Sequence, residues 1–246
     1  MGVYVIGAGG HAKVVLSTLL AAGVQVDGIF DDDPSKEGGE VLGIKVIGPL
    51  AVARQLPPQK GVIAIGDNRT RKAIAQEFKN WEWLAVIHPK AYVHPSVRVG
   101  QGTVIFAGAV IQPDAEIGEH VIINTGATVD HDCVIGDFAH LAPGVHLAGK
   151  VRIEEGVLMG IGSVSLPGRH IGAWAVVGAG AVVIEDLPPR IIAVGVPHDQ
   201  LEERKNDGAH SHVGPRISLR RMSRRWLRWF GPGAWPWAQK QKRLKG

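Results

Sequence analysis

Large aliphatic residues recur at every sixth position from Ile87 to Pro188, through seventeen consecutive hexads without an insertion. The first position of a hexad is Val, Ile, Leu or Met except at Ser165, and the fifth is mostly small or β-branched. A period of six fits neither the 3.6-residue turn of an α-helix nor the alternation of one strand. It predicts a short strand followed by a corner. The first and fifth side chains would point inward, and Gly, Asn or Asp near the corner would accept a positive φ.

These hexads predict a parallel β-helix. Three sides would close a triangular coil of eighteen residues, so seventeen hexads would form between five and six coils. Each coil buries the apolar edge that its neighbour leaves open, and successive coils stack as parallel strands about 4.8 Å apart. Residues eighteen positions apart are therefore expected to lie one above the other.

The first 86 residues follow a different pattern, in which apolar strands alternate with helices. Residues 3–23 predict a strand, a glycine turn and a helix, and residues 24–34 predict a second strand that ends in acids. A third buried strand and a helix follow at 61–78. This alternation predicts a parallel sheet, about half of a doubly wound domain. We therefore expect an α/β domain at 1–86, a β-helix at 87–201 and a C-terminal extension at 202–246.

The C-terminal extension divides the charge of the chain. Residues 204–246 hold twelve Lys or Arg and one acid, so they carry about +11 and the remainder about −7, within a total of +4. Between 216 and 237, apolar residues that include Trp226 and Trp229 fall on one helical face, and the arginines fall mostly on the other. Such a helix suits contact with a membrane surface, and an extension without a fixed structure is the alternative. Because only this segment is basic, we expect no nucleic-acid partner.

The location of the protein is predicted from its cysteine usage and its apolar runs. The sequence shows no secretory signal and no apolar run of about 18 residues. Its one cysteine, Cys133, occupies a fifth position and is expected to pack in the core of the β-helix. A single cysteine forms no internal disulfide, which agrees with a reducing compartment. We expect a cytoplasmic protein, peripheral at the inner membrane face if the extension binds there.

The glycine turn at residues 7–12 follows a strand and opens a helix. Its glycines would let backbone N–H groups approach a phosphate, and a helix N-terminus favours negative charge. Asp31 stands about where a ribose-binding acid would stand in a dinucleotide enzyme, so an NAD-dependent oxidoreductase is one candidate. The short sheet, and His11 and Lys13 beside the turn, favour a nucleotide sugar instead.

His131 is the strongest candidate for a catalytic residue. It occupies a corner position that the core does not require, and Asp130 and Asp132 flank it. A carboxylate beside an imidazole can set its tautomer and stabilise the imidazolium, as a general base requires. Gly149, eighteen residues later, would lie beneath it. That glycine would either present a bare N–H to a thioester oxyanion or serve a corner that needs a positive φ.

A metal site is the alternative use of the histidines. His140 and His146 occupy the sixth positions of the two following hexads, on different sides of the coil. Hexapeptide-repeat carbonic anhydrases resemble this scaffold and bind zinc through three histidines. Their typical five-residue pair would need a second histidine where Gly136 or Val145 stands. We therefore expect no metal.

Several motifs together resemble one known family. They are GAGGHAKVV near the start, FDDD after the second strand, AIGDNRTRKAI, INTGATVDHDCVIGDFAHLAPGVHLAG and VGVP near the end. In this order they are similar to the hexapeptide-repeat sugar acyltransferases that resemble sialic-acid O-acetyltransferases, which include bacillosamine-type and perosamine N-acetyltransferases. The resemblance covers about residues 1–201 and implies a left-handed β-helix and a homotrimer, with acetyl-CoA between adjacent β-helices.

The resemblance also implies roles for single residues. His131 would be the general base, oriented by Asp132; because the family commonly has Glu there, Asp130 is the alternative. In the acetyl-CoA site, His140 would help to form the acyl-donor pocket and the Gly149 N–H would meet the thioester, while Ile161 and Ala179 would line the groove. The nucleotide-sugar pocket would consist of Gly9, His11, Asp31, Asp32 and Gly66, with Asn124 and Thr125 closer to the sugar.

We therefore expect transfer of an acetyl group from acetyl-CoA to the amino group of a nucleotide-activated amino sugar for surface-glycan synthesis, with UDP favoured over GDP. O-acetylation of a sugar or of sialic acid is the first alternative. An NAD-dependent enzyme and a non-catalytic scaffold are less favoured, because packing alone gives no reason for the Asp-His-Asp corner. The sequence does not identify the sugar.

Overall fold

The computed structural model describes residues 2–196 and 199–201, the last three by their backbone only. The predicted amphipathic helix at 216–237 lies outside the described residues. Within them, no helix is both long enough and apolar enough to cross a bilayer.

The N-terminal region has the predicted alternation of strands and helices. Its elements are β1 (Val3–Ile6), α1 (Gly10–Ala21), β2 (Val26–Phe30), a 3₁₀ turn (Pro34–Lys36), β3 (Glu40–Val41), β4 (Ile44–Gly48), α2 (Leu50–Ala53), β5 (Lys60–Ile63), α3 (Asn68–Glu77) and β6 (Glu82–Trp83).

The six strands form one sheet in the order β3-β4-β2-β1-β5-β6, parallel except for the β3–β4 hairpin. Sequence reasoning did not find this hairpin, α2 or β6. Leu42-Gly43 forms the turn of this hairpin. Both residues have positive φ (50° and 78°), as a two-residue hairpin turn with two left-handed residues requires, and Gly43 is the signal for it in the sequence. The parallel half-domain predicted for this region is confirmed.

Seventeen two-residue strands follow, one for each predicted hexad. Each consists of the first residue of a hexad and the residue before it, which from the second strand onward is the sixth residue of the preceding hexad. They are β7 (Val86–Ile87), β8 (Tyr92–Val93), β9 (Arg98–Val99), β10 (Val104–Ile105), β11 (Val110–Ile111), β12 (Glu116–Ile117), β13 (Ile122–Ile123), β14 (Thr128–Val129), β15 (Val134–Ile135), β16 (His140–Leu141), β17 (His146–Leu147), β18 (Arg152–Ile153), β19 (Leu158–Met159), β20 (Val164–Ser165), β21 (His170–Ile171), β22 (Val176–Val177) and β23 (Val182–Val183).

The strands stack with the predicted register of eighteen residues. Ile105 pairs with Ile123, which pairs with Leu141, and so on along the β-helix. The first face is the sheet of β7, β10, β13, β16, β19 and β22, extended by β24 (Ile192–Val194) and the antiparallel β25 (Asp199–Leu201). The second face runs from β8 to β23 and the third from β9 to β21, each through every third strand. The predicted parallel β-helix is confirmed.

The three faces of the β-helix meet at three edges, and a ladder of corner hydrogen bonds runs along each edge. The first edge, between the first and second faces, contains residues 107, 125, 143, 161 and 179, as in the bond from the Gly144 N–H to the Thr125 carbonyl. The second edge, between the second and third faces, contains 113, 131, 149 and 167. The third edge, between the third and first faces, contains 119, 137, 155 and 173.

The interior holds the first and fifth side chains of the hexads. Ile105, Ile123 and Leu141 are fully buried, and so are the small fifth-position residues from Thr103 to Ala181. Cys133 packs among them as predicted: its thiol contacts the Ala148 carbonyl oxygen at 3.2 Å, and burial raises its pKa to about 11. The fourth position carries the positive φ in every hexad from Gly102 to Gly180, whether or not it is glycine.

The three outer faces differ in chemistry. The N-terminal region covers the start of the first face, where Val86, Val104 and Ile122 are buried against it. The third face carries charged side chains such as Arg98, Glu116 and Arg152. The outward positions of the second face are mainly apolar and are half-buried or exposed in the single chain: Tyr92, Val110, Thr128, His146, Val164 and Val182.

Candidate active site

The catalytic pair predicted from the sequence forms on the second edge. His131 Nδ1 lies 2.7 Å from Asp132 Oδ2, and 54% of the His131 side chain is exposed. Asp132 occupies a fourth position with a φ of 58°, which turns its carboxylate back towards the preceding ring. Because the carboxylate accepts at Nδ1, the neutral form of the ring carries its proton on that nitrogen and its lone pair on Nε2.

Asp130 has a different task. Its Oδ1 accepts the backbone N–H of His131 at 2.8 Å, and only Asp132 bonds the imidazole. Of the two carboxylates that the sequence left open, the geometry therefore favours Asp132 as the group that orients the ring.

Gly149 lies against the ring of His131, as the register predicts. A Cβ built on Gly149 would come within 2.6 Å of His131 Nε2 and 2.7 Å of Cε1. The positive φ of this corner belongs to Lys150, at 65°, and not to Gly149. Of the two sequence-based explanations, a corner that needs positive φ is therefore wrong. A glycine fits here because the imidazole packs where a Cβ would stand, which leaves the bare N–H as the explanation that stays a prediction. Within the described residues, the Gly149 N–H donates to no other group.

The glycine turn and Asp31 are joined by hydrogen bonds. Asp31 accepts the backbone N–H of Ala8 at 2.6 Å and that of Asp33 at 2.9 Å, and Lys36 Nζ lies 3.1 Å from its carboxylate. Burial would raise the pKa of Asp31, but these hydrogen bonds and the charge of Lys36 outweigh it and lower the pKa. The acid thus braces the turn that opens α1.

The remaining predicted pocket residues of the N-terminal region surround this turn. Gly9 and Gly66 face open space, because a Cβ on either would meet no atom within 4 Å. Asp32 Oδ1 accepts the N–H of Leu50 at 2.8 Å and so caps α2. This cap leaves the second oxygen of Asp32 available to a ligand.

His11 and His140 approach each other where the N-terminal region meets the first face. Their ring centroids lie 6.2 Å apart, and the Asn124 amide nitrogen lies 3.2 Å from His140 Nε2. His11 Nε2 is enclosed and has no hydrogen-bond partner among the residues that the structure describes. Three of the predicted site residues therefore form one cluster, and Thr125 follows Asn124 on the first edge.

Both rings of this cluster are held neutral. Burial, then the charge of Arg71 and the proximity of His11, lower the pKa of His140 to about 4, against a hydrogen bond with the Gly66 backbone that acts to raise it. Burial and the charge of Arg71 lower the pKa of His11 to about 4 as well. A neutral His140 can accept the Asn124 amide at Nε2 and donate from Nδ1.

Sequence reasoning missed Arg71, which belongs to the same cluster. It extends from the first turn of α3 and is 1% exposed. Its position within the motif AIGDNRTRKAI was the available signal, but nothing local reveals its contacts. The guanidinium donates to five backbone carbonyls, at 2.8 to 3.4 Å: Ile65, Gly66, His120, Phe138 and Ala139.

The predicted CoA-lining residues lie on the first edge. Ile161 is 62% exposed, and its carbonyl accepts the N–H of Gly180, which places Ala179 one coil further on. His131 and Gly149 lie on the second edge, across the second face. A single chain therefore places the predicted site residues in two groups: His131, Asp132 and Gly149 on one edge, and the remaining predicted residues on the other edge or beside it. If they act in catalysis, each group would be a half-site.

In the part of the chain that the structure describes, no group of three or more His, Cys, Asp or Glu side chains is arranged to hold a metal ion.

Comparison with known proteins agrees with this division of the chain. Residues 2–78 match the model of the PglD N-terminal domain, and residues 96–131 and 114–149 match that of the bacterial transferase hexapeptide, six repeats. PerB from Caulobacter crescentus, a perosamine N-acetyltransferase solved with CoA and GDP-perosamine, is 43% identical with a TM-score of 0.77. The similarity covers 82% of this chain and 98% of that one. The chain belongs to the hexapeptide-repeat sugar acyltransferases.

Other members of this family are similar over shorter or comparable lengths. The acetyltransferase domain of PglB from Neisseria gonorrhoeae is 38% identical, with a TM-score of 0.77 over 81% of this chain and 99% of that one. UDP-N-acetylbacillosamine N-acetyltransferase from Bacillus subtilis is 40% identical over 113 residues, which are 43% of this chain and 51% of that protein. The chain spans between about a fifth and about half of the curated relatives that it matches. The predicted family and the acyltransferase class are confirmed.

Proposed function

We propose that this protein transfers an acetyl group from acetyl-CoA to the amino group of a nucleotide-linked amino sugar. The observation that carries the proposal is the second-edge geometry: an exposed imidazole, bonded to Asp132 through Nδ1, stands with Nε2 over the bare backbone of Gly149. An unprotonated Nε2 beside a free N–H is the pairing that acyl transfer needs.

The proposed chemistry follows from these two groups. The sugar amine attacks the thioester carbonyl, and His131 Nε2 takes the proton that the amine loses as the C–N bond forms. The carbonyl oxygen becomes an oxyanion, which the Gly149 N–H stabilises by a hydrogen bond. Collapse of the tetrahedral centre breaks the C–S bond, and the imidazolium returns its proton to the departing CoA thiolate.

The distribution of apolar surface supports a homotrimer. The N-terminal region covers part of the first face, the third face is charged, and the second face presents apolar side chains that are half-buried or exposed in one chain. That face lies between the two edges that carry the half-sites. Packing it against other copies around a threefold axis would bring the second edge of one copy beside the first edge of the next. Acetyl-CoA would then lie between them, along Gly149, Ile161 and Ala179.

The acceptor pocket would lie where the N-terminal region meets the β-helix. Its proposed residues are the glycine turn with Gly9 and His11, Asp31 and Asp32, Gly66, Asn124 and Thr125, with His140 between the acceptor and acyl-donor sites. The likeness to an enzyme solved with GDP-perosamine and to one named for a UDP sugar supports a nucleotide-linked acceptor. We retain UDP as the expected nucleotide, with GDP as the competing outcome.

A substrate panel tests the proposal. The purified protein is mixed with acetyl-CoA and a set of UDP- and GDP-linked amino sugars, and release of free CoA thiol is followed together with the product mass. An amide product that resists hydroxylamine supports N-acetylation, whereas a hydroxylamine-labile ester indicates the O-acetyltransferase alternative. If no member of the panel, with either nucleotide, causes release of the CoA thiol, the proposal is contradicted.

His131→Ala is the matched variant for the mechanism. A positioned general base contributes roughly 10²–10⁴ in rate, so turnover should fall by that much while the assembly measured by light scattering is unchanged. Turnover near that of the unaltered protein would show that His131 is not the base.

A further inference from the structure

Arg71 is a buried cation without an ion-pair partner among the described residues. Its carboxylate neighbour Asp67 acts on it only at a distance and instead caps α3 by accepting the Thr70 N–H at 2.8 Å. Burial lowers the pKa of Arg71 to about 10, which still leaves it charged at neutral pH. The charge is compensated mainly by hydrogen bonds, with Asp67 contributing only at a distance.

An apolar residue in place of Arg71 would pack between the N-terminal region and the β-helix at a lower cost in free energy. Removing a charge from water costs several kcal/mol, and well-packed apolar groups often replace buried charged groups without loss of stability. What an apolar side chain lacks is direction. The planar guanidinium holds five donors in a rigid fork, so it fixes the positions of several acceptors relative to one another.

The acceptors of Arg71 belong to two parts of the proposed site. Ile65 and Gly66 lie in the loop after β5, which is part of the proposed acceptor pocket. Phe138 and Ala139 directly precede His140 on the β-helix. Asn68 strengthens the link, because its Oδ1 accepts from Arg71 at 2.8 Å and its amide donates to the Gly156 carbonyl at 3.1 Å.

We infer that Arg71 is a positioning residue for the proposed reaction, which holds the Gly66 loop of the acceptor pocket in register with the β-helix strand that carries His140. It contacts neither substrate in this role. The inference rests on the proposed function for its kinetic consequences, but its structural part can be measured without turnover.

The surroundings of His140 give the second consequence of this placement. The charged and titratable groups that face it are Arg71 from α3 and His11 from α1, while Asn124 and the Gly66 backbone supply hydrogen bonds. The charge of Arg71 favours the neutral imidazole of both histidines, which preserves the acceptor at His140 Nε2. Removing that charge while keeping the fold should therefore let both rings protonate at higher pH.

Two substitutions separate position from charge, and one serves as control. Arg71→Lys keeps the charge but loses the fork, and Arg71→Met loses both. Arg69→Gln is the control, because Arg69 is exposed on the same helix and stacks on Trp174 at 4.6 Å without reaching the cluster. Each full-length variant is studied by NMR of ¹³C-labelled histidine rings from about pH 8 to about pH 5, with His140→Gln and His11→Gln spectra for assignment, and by kinetics with both substrates.

The inference predicts a distinct pattern. In Arg71→Lys, KM for the acceptor should rise about tenfold, as loss of one well-made hydrogen bond would produce, with KM for acetyl-CoA within about twofold. At about pH 5 the rings of His11 and His140 should begin to protonate only in Arg71→Met; burial, the larger cause of their low pKa, remains in that variant, so the pKa of neither ring should reach the free value. The control should match the unaltered protein in both measurements.

Three results would overturn the inference. The first is an Arg71→Lys variant whose KM for the acceptor is unchanged. The second is an Arg71→Lys variant in which activity falls equally with respect to both substrates, and only as far as its melting temperature falls. The third is an Arg71→Met variant whose histidines titrate as in the unaltered protein. If Arg71→Met does not fold, the Arg71→Lys kinetics decide. If no acetyl transfer is found at all, altered titration in Arg71→Met supports the inference while the proposed function fails.

Discussion

His131 Nε2 and the backbone of Gly149 approach so closely that a single added methyl group on the glycine would come within 2.6 Å of the ring nitrogen. The two residues are eighteen positions apart, one full coil, and the Lys150 N–H donates to the His131 carbonyl at 2.9 Å to hold them in that register. An imidazole and a free N–H are thereby placed side by side by the backbone of the β-helix.

Gly149→Ala should remove activity without unfolding the protein. The added Cβ would displace the exposed imidazole, which can swing into solvent, so the unfolding free energy should change by less than about 1 kcal/mol. Turnover should fall roughly 10²-fold or more, close to the loss in His131→Ala, because the base leaves its position. Steady-state kinetics and urea denaturation measure the two effects.

The double variant Gly149→Ala with His131→Ala is the internal control. Residues that act as one unit give non-additive losses, so the double variant should be no slower than His131→Ala alone. Lys150→Ala, an exposed change at the same corner, should keep full turnover. Additive losses would mean that Gly149 acts independently of the imidazole.

Asp132→Asn should cost far more activity than Asp130→Asn. An asparagine tolerates the positive φ at position 132, but its amide no longer fixes the proton on His131 Nδ1, so we expect turnover to fall about 10²-fold. In Asp130→Asn the new amide oxygen can still accept the His131 N–H, so the loss there should stay below about fivefold. Turnover of the two variants is compared at one pH; the reverse order would assign the orienting role to Asp130.

Protein stability should fall as the pH drops from 6.5 towards 4, in part because of His120. This ring is 2% exposed and stacks on Phe138 with centroids 5.2 Å apart, and burial, then the charge of Arg71, lowers its pKa to about 4. As the pH falls, His120 therefore binds its proton at a higher pH in the unfolded chain than in the folded protein. The stability that the neutral ring provides is complete above pH 6.5 and is lost progressively as the pH falls towards 4.

His120→Gln and His120→Phe test this contribution. Either change removes one proton from the uptake on unfolding, so the slope of unfolding free energy against pH should fall by about 1.4 kcal/mol per pH unit near the middle of the window. Urea titrations between about pH 7 and pH 4.5 measure it, and the slope is independent of any constant loss of stability. A slope equal to that of the unaltered protein in both variants would show that His120 protonates equally in the folded and unfolded states.

Removal of residues 204–246 should abolish binding to anionic vesicles and leave acetyl transfer unchanged. The segment carries twelve basic residues and most of the tryptophans, and each basic side chain near an anionic surface contributes about 1 kcal/mol. Co-sedimentation with vesicles that contain phosphatidylserine, against neutral vesicles as control, measures the binding. Equal sedimentation of the full and truncated chains would refute membrane contact through residues 216–237.

The periodic features were predictable because they are local. Every hexad repeats the same covalent spacing, so the coil length, the burial of Cys133 and the stacking of His131 on Gly149 follow from counting. The register also contained the answer to the Gly149 question, since positive φ belongs to the fourth position and Gly149 is third. The hairpin at 40–48 was missed because its strands are short and its turn, Leu42-Gly43, is only half glycine.

The sequence by itself determined which residues of successive coils lie one above the other, because stacked strands place each residue next to the one eighteen positions further along the chain. Only the tertiary structure decided how the N-terminal region docks on the β-helix. The carbonyls bound by Arg71 lie as near as Ile65 and as far along the chain as Ala139. The neutral pair of His11 and His140 arises from that same docking. No period links such residues, and the energy that holds them comes from burial and from hydrogen bonds that exist only once both surfaces have met.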